Sequence, residues 1–474
     1  MSRPARLIYT GPAMGEDERG RAAGGRRPGV RPIPRRWSHL GWRWRLRAVY
    51  AIAWLWRRLL VGTTFVAVTG SVGKTTTKEC LAAALAVSGL TARTRGNAND
   101  AYGVPRTILR VRPWHRHAVV EVGTERPRMM RRAARVVRPH VAVVLCIDRA
   151  HTRTFGTLEA IAAEKADLVR ALPRSGLAVL NADDPRVLAM AAVCRGRVVT
   201  FGLGPGADCR GDDVTAAWPE RLALSVHAGG ERVRVRTRLV GAHWARSVVA
   251  ALAAARAAGV ELGPAGEAVG RVLPFRARMQ PVTLPSGATM LRDEIGNTGP
   301  TLDAALRVLE TARAGRRVLV AGEFSDSPWR SQVRLRELGR AAARVADLAL
   351  FVDPHHGRDA VRAAVGAGMR PGAALAFADV AQVADYLRSA LRPGDLVLLK
   401  GRTTDHFSRV FFAQFGSIGC WTSACARTSL CDSCEELRPG FDLTVTTTGG
   451  ADGVAPPTGP HHREPARNGE AGPR

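Results

Sequence analysis

From Phe65 onward, short apolar runs alternate with stretches of helical period. FVAVTG (65–70), HAVVEVG (117–123), HVAVVLCI (140–147) and GLAVLNAD (176–183) are rich in β-branched residues and end in Gly or polar turns. Runs of this length read as buried strands. Helix-period segments separate them, among them LEAIAAEKADLVRAL (158–172). Strands alternating with helices predict a mainly parallel sheet covered by helices. Residues 222–240 alternate around a Gly-Gly pair, which predicts an antiparallel hairpin, and an Ala-rich helix is expected over 245–258. Near Phe275–Met279 the pattern restarts. RRVLVAGE (316–323), ADLALFVD (346–353), AALAFAD (373–379) and DLVLLKG (395–401) read as four strands of a second α/β domain.

The two ends differ from this middle. Residues 1–60 hold 14 Arg against Glu16, Asp17 and Glu18, and five of the ten Trp: Trp37, Trp42, Trp44, Trp54 and Trp56. This basic, Trp-rich arm reads either as an interfacial helix on an anionic membrane or as an arm whose helix packs on the body. Arg57 and Arg58 interrupt its apolar stretch, so a bilayer-spanning helix is not expected. Residues 416–440 carry a cysteine cluster, and 441–474 are rich in Thr, Gly and Pro and are expected to be disordered.

Composition sharpens this picture. The 474 residues carry a formal net charge of +29, but only four of the 70 basic residues are lysines: Lys74, Lys78, Lys165 and Lys400. The remaining 66 are Arg, so the charge reads as a compositional bias, and nucleic acid is not the expected partner. Where Arg dominates so heavily, a surviving Lys points to a position that needs a compact or titratable amine. Eight Cys in this length do not make a disulfide scaffold. With no legible signal peptide, a cytoplasmic setting is expected, with peripheral membrane contact through the arm as the variant reading.

The segment TGSVGKTTT (69–77) lies between an expected strand and helix. Gly70, Ser71, Val72, Gly73, Lys74, Thr75 and Thr76 would cradle the phosphates of a nucleotide. Lys74 would reach the β- and γ-phosphates and the Thr75 hydroxyl would bind Mg²⁺. The order of motifs then resembles that of the ATP-dependent Mur ligases. TGSVGKTTTKE (69–79) is followed by RGNANDAYGVPRTIL (95–109), VVEVGT (119–124), DRAHTRTFGTLEAIAAEKADLV (148–169), LNADDP (180–185), LVGAHWARSVVAALAAA (239–255), FRARM (275–279) and LLKGR (398–402). The resemblance covers about residues 63–410 and all four lysines fall on it.

That resemblance implies an α/β protein with a central P-loop ATPase domain over 61–275 and a C-terminal Rossmann-like domain over 276–415. It also implies ATP- and Mg²⁺-dependent amide formation. A substrate carboxylate becomes an acyl phosphate, which an amine then attacks. Glu121 and His151 would hold a second Mg²⁺, and Lys165 would be carbamylated by CO₂ to help bind it. Asn181 and the acidic pair Asp183 and Asp184 would lie near the nucleotide. Arg278 would reach ATP from the domain junction, and Asp293 would contact the ribose. Without the resemblance, Lys165 reads as an exposed helix lysine paired with Glu164 or Asp167. Peptidoglycan precursors are the family's default substrates.

Three departures qualify the resemblance. Only about 60 residues precede the loop, where the family carries a uridine-nucleotide-binding domain. RDEIGNTGP (292–300) stands where an Asn-rich acidic stretch is expected, although Asp293 and Asn297 remain. GEFSDSPWRSQ (322–332) replaces another family segment. A chain that binds ATP without ligating, docked to a membrane or nucleic acid through residues 1–60, is the alternative. It has no evident need for Glu121, His151 and Lys165 together. Cys420, Cys425, Cys431 and Cys434 follow a C-x₄-C-x₅-C-x₂-C spacing, which fits a Zn²⁺ site, an iron–sulfur cluster or free thiols. Cys80 and Cys146 are expected in the packing, and His355 and His356 in a loop after a strand.

Overall fold

A computed structural model describes residues 35–441 except 150, 151, 326, 328, 423, 424 and 426, with side chains not described for 35–43 and Arg153. Fifteen strands among these residues form two sheets. The first contains β1 (Thr64–Thr69), β2 (Thr91–Arg93), β3 (His117–Glu121), β4 (Val141–Val144), β5 (Leu177–Asn181), β6 (Arg197–Gly202), β7 (Cys209–Thr215), β8 (Ala223–Ala228) and β9 (Glu231–Arg236). Its order is β2-β3-β1-β4-β5-β6-β7-β8-β9, parallel through β7 and antiparallel beyond. The second contains β10 (Gln280–Thr283), β11 (Thr289–Asp293), β12 (Arg316–Ala321), β13 (Leu348–Val352), β14 (Ala374–Phe377) and β15 (Asp395–Lys400), in the order β10-β11-β15-β12-β13-β14. Only β10 is antiparallel there.

The expected strands all form, and the 222–240 hairpin turns at Gly229-Gly230, both of which have left-handed φ. Patterning missed β2, β6, β7, β10 and β11. β2 has three residues, and β7 (CRGDDVT) is mostly polar, so neither carries an apolar period. β1, β3, β4 and β5 are buried on both faces, as a parallel sheet between helices requires. Apolar packing runs on from this sheet into the second: Val248 and Trp244 share a core with Leu291, Leu302 and Leu319. Each large side chain so buried contributes about 1.5–3 kcal/mol before chain entropy is counted.

Helix α1 (Arg35–Leu59) is part of the first domain, not a free arm. Leu46, Tyr50, Ala53, Arg57 and Leu60 recur at helical spacing and are buried. They face α3 (Gly103–Arg110) and α4 (Met129–Val137); α2 (Lys74–Ala86) lies on the other side of the sheet core. Arg57 donates to the Val137 and Arg138 carbonyls, both at 2.8 Å, and lies over the Phe65 ring. A cation at the carboxyl end of α4 satisfies carbonyls that have no helical partner. The residue that breaks the apolar run in sequence is therefore a docking residue. No helix among the described residues is long and apolar enough to cross a membrane. The arm up to residue 34 and the tail from 442, the latter expected to be disordered, lie outside the described residues.

Candidate active site

The phosphate loop leaves the carboxyl end of β1 and enters α2 at Lys74. Gly73 caps the helix with φ 85°, and a Cβ there would stand 2.9 Å from Ser247 Oγ. Both the left-handed backbone and the close approach require glycine. Ser71 is committed to holding the loop's shape: its N–H donates to the Cys146 carbonyl (2.8 Å) and its hydroxyl to the Asp148 carbonyl (3.1 Å). Lys74 Nζ donates to the Gly70 carbonyl (2.8 Å) and the Ser71 carbonyl (3.2 Å). Burial lowers its pKa, opposed by Glu121 and reinforced by the nearby Arg278 guanidinium. A phosphate at this loop would replace two neutral carbonyls with a full negative charge, the stronger partner for an ammonium. Val72 contributes only backbone, and Thr76 is buried in the first turn of α2.

Glu121 ends β3 and is fully buried. Its Oε1 accepts from Thr75 Oγ1 (3.1 Å) and from Asn99 Nδ2 (2.6 Å). Its Oε2 has no hydrogen-bond partner, although Lys78 Nζ stands 3.9 Å away. A buried carboxylate oxygen without a partner is costly unless a cation completes it. Thr75 and Glu121, hard oxygen donors side by side, fit a Mg²⁺ ion. His151 lies outside the described residues. Lys78 is structural: it donates to the Thr94 (3.0 Å) and Gly96 (2.6 Å) carbonyls and pairs with Glu79. It thereby pins the segment leading to Asn99.

Lys165 departs from the surface reading. It lies on α6 (Leu158–Arg170), after the short α5 (Thr152–Phe155), and is 2 % exposed. Glu164 instead accepts from the Arg128 and Met130 backbone, and Asp167 from Arg170. The Lys165 ammonium donates to Thr124 Oγ1 at 3.3 Å. Burial, reinforced by Lys74, lowers its pKa to about 7. Near neutral pH a large fraction is therefore free amine, the form that can react with CO₂. Cys146 lies beside the loop rather than in a core strand, its thiol 3.9 Å from the Val72 carbonyl and its pKa raised by burial. Cys80 is packed as expected.

Asn181 is inside the structure, not presented to a ligand. Its Nδ2 donates to the Leu145 carbonyl (2.6 Å) and its Oδ1 accepts from the Asp183 N–H (3.0 Å). It ties β5 to the end of β4. Asp183 accepts from Leu203 and Gly204 N–H and pairs with Arg246; Asp184 accepts from Ile147 N–H. These groups shape the loops beside the site.

The second domain closes the cleft. Arg278 approaches Lys74, and its Nε is buried with no hydrogen-bond partner. Asp293 accepts from Lys400 Nζ (2.6 Å) and the Met279 N–H (3.1 Å), so it anchors the junction. His243, in the GAHW segment, faces this pair; burial drops its pKa to about 4 despite Asp293. Sequence reading gave His243 no role of its own. It also passed over a charged cluster in which Glu323 pairs with Arg334 and Arg402, and Arg402 with Asp405. Glu323 lies 79 residues before Arg402 of the LLKGR motif, which is why spacing did not join the two. Asn297 donates to the carbonyls of Gly322 and Glu323, which precede this cluster's helix. Beside the junction a groove of about 780 Å³ runs past Arg93, Arg95, Arg271 and Arg276. His355 and His356 lie in the turn between β13 and the helix Gly357–Gly366, in a loop after a strand as expected.

The four clustered cysteines are free thiols. Against the zinc expectation, no group of three or more His, Cys, Asp or Glu among the described residues stands ready to hold a metal ion.

Comparison with known proteins agrees with this geometry. Residues 68–255 match the Mur ligase middle domain, and residues 277–403 match the Mur ligase, glutamate ligase domain. A UDP-N-acetylmuramoyl-tripeptide–D-alanyl-D-alanine ligase of Mycobacterium tuberculosis is 31% identical over 359 residues, 72% of this chain and 70% of that protein. The enzyme of that name from Escherichia coli is 31% identical over 293 residues, 60% of this chain and 64% of its own. The crystal structure of MurF from Acinetobacter baumannii superposes with a TM-score of 0.71 at 25% identity, over 77% of this chain and 79% of that one. Two matched domains and a phosphate loop facing a buried carboxylate across one cleft lead to one conclusion: the chain belongs to the Mur ligase family and is an ATP-dependent ligase.

Proposed function

We propose that the protein joins the carboxylate of a peptidoglycan-precursor-like substrate to the amine of an amino acid or dipeptide. The observation that carries this reading is the meeting of Lys74, the Thr75–Glu121–Asn99 network and the partly neutral Lys165 in one cleft beneath Arg278. A nucleotide-binding protein without ligase chemistry does not need a buried, titratable lysine there.

In the proposed reaction a substrate carboxylate oxygen attacks the γ-phosphorus of ATP and ADP leaves. The amine then attacks the acyl carbon, phosphate departs, and the amine nitrogen gives up a proton. Lys74 and Arg278 hold and neutralise the phosphates. Thr75 and Glu121 are the residues that would hold Mg²⁺, which supplies further charge neutralisation when bound. Lys165 as a neutral amine would add CO₂, losing a proton to become an anionic carbamate that would help hold the second Mg²⁺. Asp293 is assigned an anchoring role, with ribose contact as a secondary one. The basic groove past Arg95 and Arg276 suits an anionic substrate such as the UDP-linked tripeptide named in the relatives. The cofactors on this reading are ATP and Mg²⁺ in the cleft.

The test is Mg²⁺-dependent ADP release with UDP-N-acetylmuramoyl-tripeptide and D-alanyl-D-alanine, alone and together. Turnover that needs both substrates, that Lys74→Ala cuts on the order of 10²–10³-fold and that Lys165→Ala abolishes, supports the assignment. ATP binding with no stimulation by either substrate sinks it.

A membrane contact is proposed separately, on the outer face of α1. Trp44, Ile52, Leu55 and Leu59 are exposed there beside Arg45, Arg47 and Arg58, with no acidic residue in the helix. Such a face suits an anionic lipid surface. Co-sedimentation with anionic but not neutral vesicles is the expected result; no sedimentation with either would end this reading.

A further inference from the structure

The connection from β3 to α4 starts at Glu121 and carries Thr124 inside it. Helix α6 holds it from the side with two consecutive residues, Glu164 and Lys165. Thr124 is buried and accepts from the Lys165 ammonium at 3.3 Å. At the far end of the connection, α4 lacks a cap of its own. Arg128, its N-cap residue, makes no side-chain cap hydrogen bond, and the first turn holds no acidic residue. Glu164 supplies the cap from another helix. Its Oε2 accepts from the Arg128 N–H (2.9 Å) and its Oε1 from the Met130 N–H (2.8 Å). One carboxylate thus satisfies two N–H groups at a helix start, where helical partners are lacking, and its charge sits at the positive end of the helix dipole.

Arg128 has φ 69°, a left-handed conformation that is unfavourable for a residue with a side chain. Such a conformation persists where its surroundings over-determine it, and the Glu164 clamp is such a surrounding. The near end of the connection is fixed as well. The Gly123 N–H donates to the Asn99 carbonyl (2.9 Å), and Asn99 in turn reaches Glu121 (2.6 Å). Thr124 stands between the two fixed points. Because Glu164 directly precedes Lys165 on α6, one clamp sets both the start of the lysine side chain and the place of its hydroxyl partner.

We propose that Glu164 is a positioning residue: its clamp on α4 holds the β3–α4 connection in the register at which Thr124 orients the Lys165 nitrogen for carbamylation. This inference rests on the ligase reading, in which Lys165 carries a carbamate. The Lys165 nitrogen bonds the carbon of CO₂, one C=O electron pair moves onto oxygen, and the nitrogen gives its proton to water. Thr124 Oγ1 accepts an N–H of the amine and so fixes the direction of its lone pair. Glu164 touches neither CO₂ nor substrate and acts through Lys165 and Thr124. A role through charge alone has the opposite consequence. A carboxylate near Lys165 favours the ammonium and opposes an anionic carbamate, so neutralising it would raise carbamate occupancy.

Carbamate occupancy is read by ¹³C NMR of the full chain under ¹³C-bicarbonate, with Lys165→Met identifying the resonance by its loss. Glu164→Ala is expected to lower occupancy on the order of tenfold at fixed bicarbonate. Its kcat should fall in step, with KM for ATP unchanged, and recover as bicarbonate is raised. Glu164→Gln, which keeps one acceptor oxygen, should fall between it and the wild type. Thr124→Val should lose occupancy and Thr124→Ser retain it. Asp167→Ala, which breaks the Asp167–Arg170 pair on the same helix, should change neither occupancy nor kcat. If Glu164→Ala does not fold, Glu164→Gln and the two Thr124 variants decide. Wild-type occupancy and bicarbonate dependence in Glu164→Ala overturn the inference, whatever its melting temperature. So does raised occupancy in Glu164→Gln. A wild type with no Lys165-dependent resonance overturns the carbamate reading itself, and this inference with it.

Discussion

Two of the buried lysines, one from each domain, behave oppositely. Lys400, at the end of β15, meets the Asp293 carboxylate at 2.6 Å and the Gly296 carbonyl at 3.1 Å. Lys165, on α6, meets a threonine hydroxyl and faces another ammonium, Lys74. A buried charge with a carboxylate partner is fixed structure; a buried charge without one is pushed toward its neutral, nucleophilic form. The same residue type therefore anchors one wall of the cleft and supplies reactive amine to the other.

Removing the paired lysine is the harshest break. Lys400→Met leaves Asp293 buried with only the Met279 N–H, and a loss of about 3–5 kcal/mol is expected by denaturant unfolding. An unchanged midpoint would show that the pair is not a stabilising anchor. Lys74→Ala is expected to cut kcat on the order of 10²–10³-fold, as loss of one charge-stabilising donor does, while the melting temperature stays near that of the wild type.

Lys165 should show the reverse pattern. Its folded pKa of about 7 lies below the ordinary 10.5, so the unfolded chain holds the proton more tightly. Stability therefore rises with pH from about 7 toward 10.5, and this group's contribution is lost as pH falls. Lys165→Met should flatten that slope and raise the melting temperature at or below neutral pH, yet abolish turnover. Equal pH slopes in the two proteins would contradict the neutral-amine assignment. In the wild type, turnover should fall up to about tenfold per pH unit below 7 as the amine protonates, and added bicarbonate should partly restore it.

The smallest effect is expected at Asn99. Asn99→Ala removes the 2.6 Å bond to Glu121 Oε1 and leaves Thr75 as its partner. A hydrogen bond to a charged group is worth about 1.5–3 kcal/mol. The expected signature is weaker Mg²⁺ dependence of turnover with the fold retained.

Much of this arrangement was legible in one dimension because the chemistry is local. TGSVGKTTT carries its own strand, turn and helix start, and a left-handed Gly73 is required wherever that turn occurs. The apolar runs fixed both α/β domains for the same reason: a strand buried on both faces has nowhere to hide polar residues. The losses were equally physical. β7 failed as a pattern because its outward positions are charged, and β2 because three residues hold no period. Asn181 looked like a ligand contact, but its amide is consumed by two backbone partners that only folding brings near.

The sequence by itself determined the parallel α/β order, the phosphate loop and which few lysines survive in an arginine-rich chain. Only the tertiary structure decided what those lysines are. Whether an ammonium is paired or stranded depends on a partner 107 residues away, as for Lys400, or on the lack of a carboxylate partner, as for Lys165. The same is true of Arg57, which interrupts an apolar run in sequence and caps a helix 80 residues on in space. Charge on a residue is written in the chain; its solvation is set by what the fold packs around it.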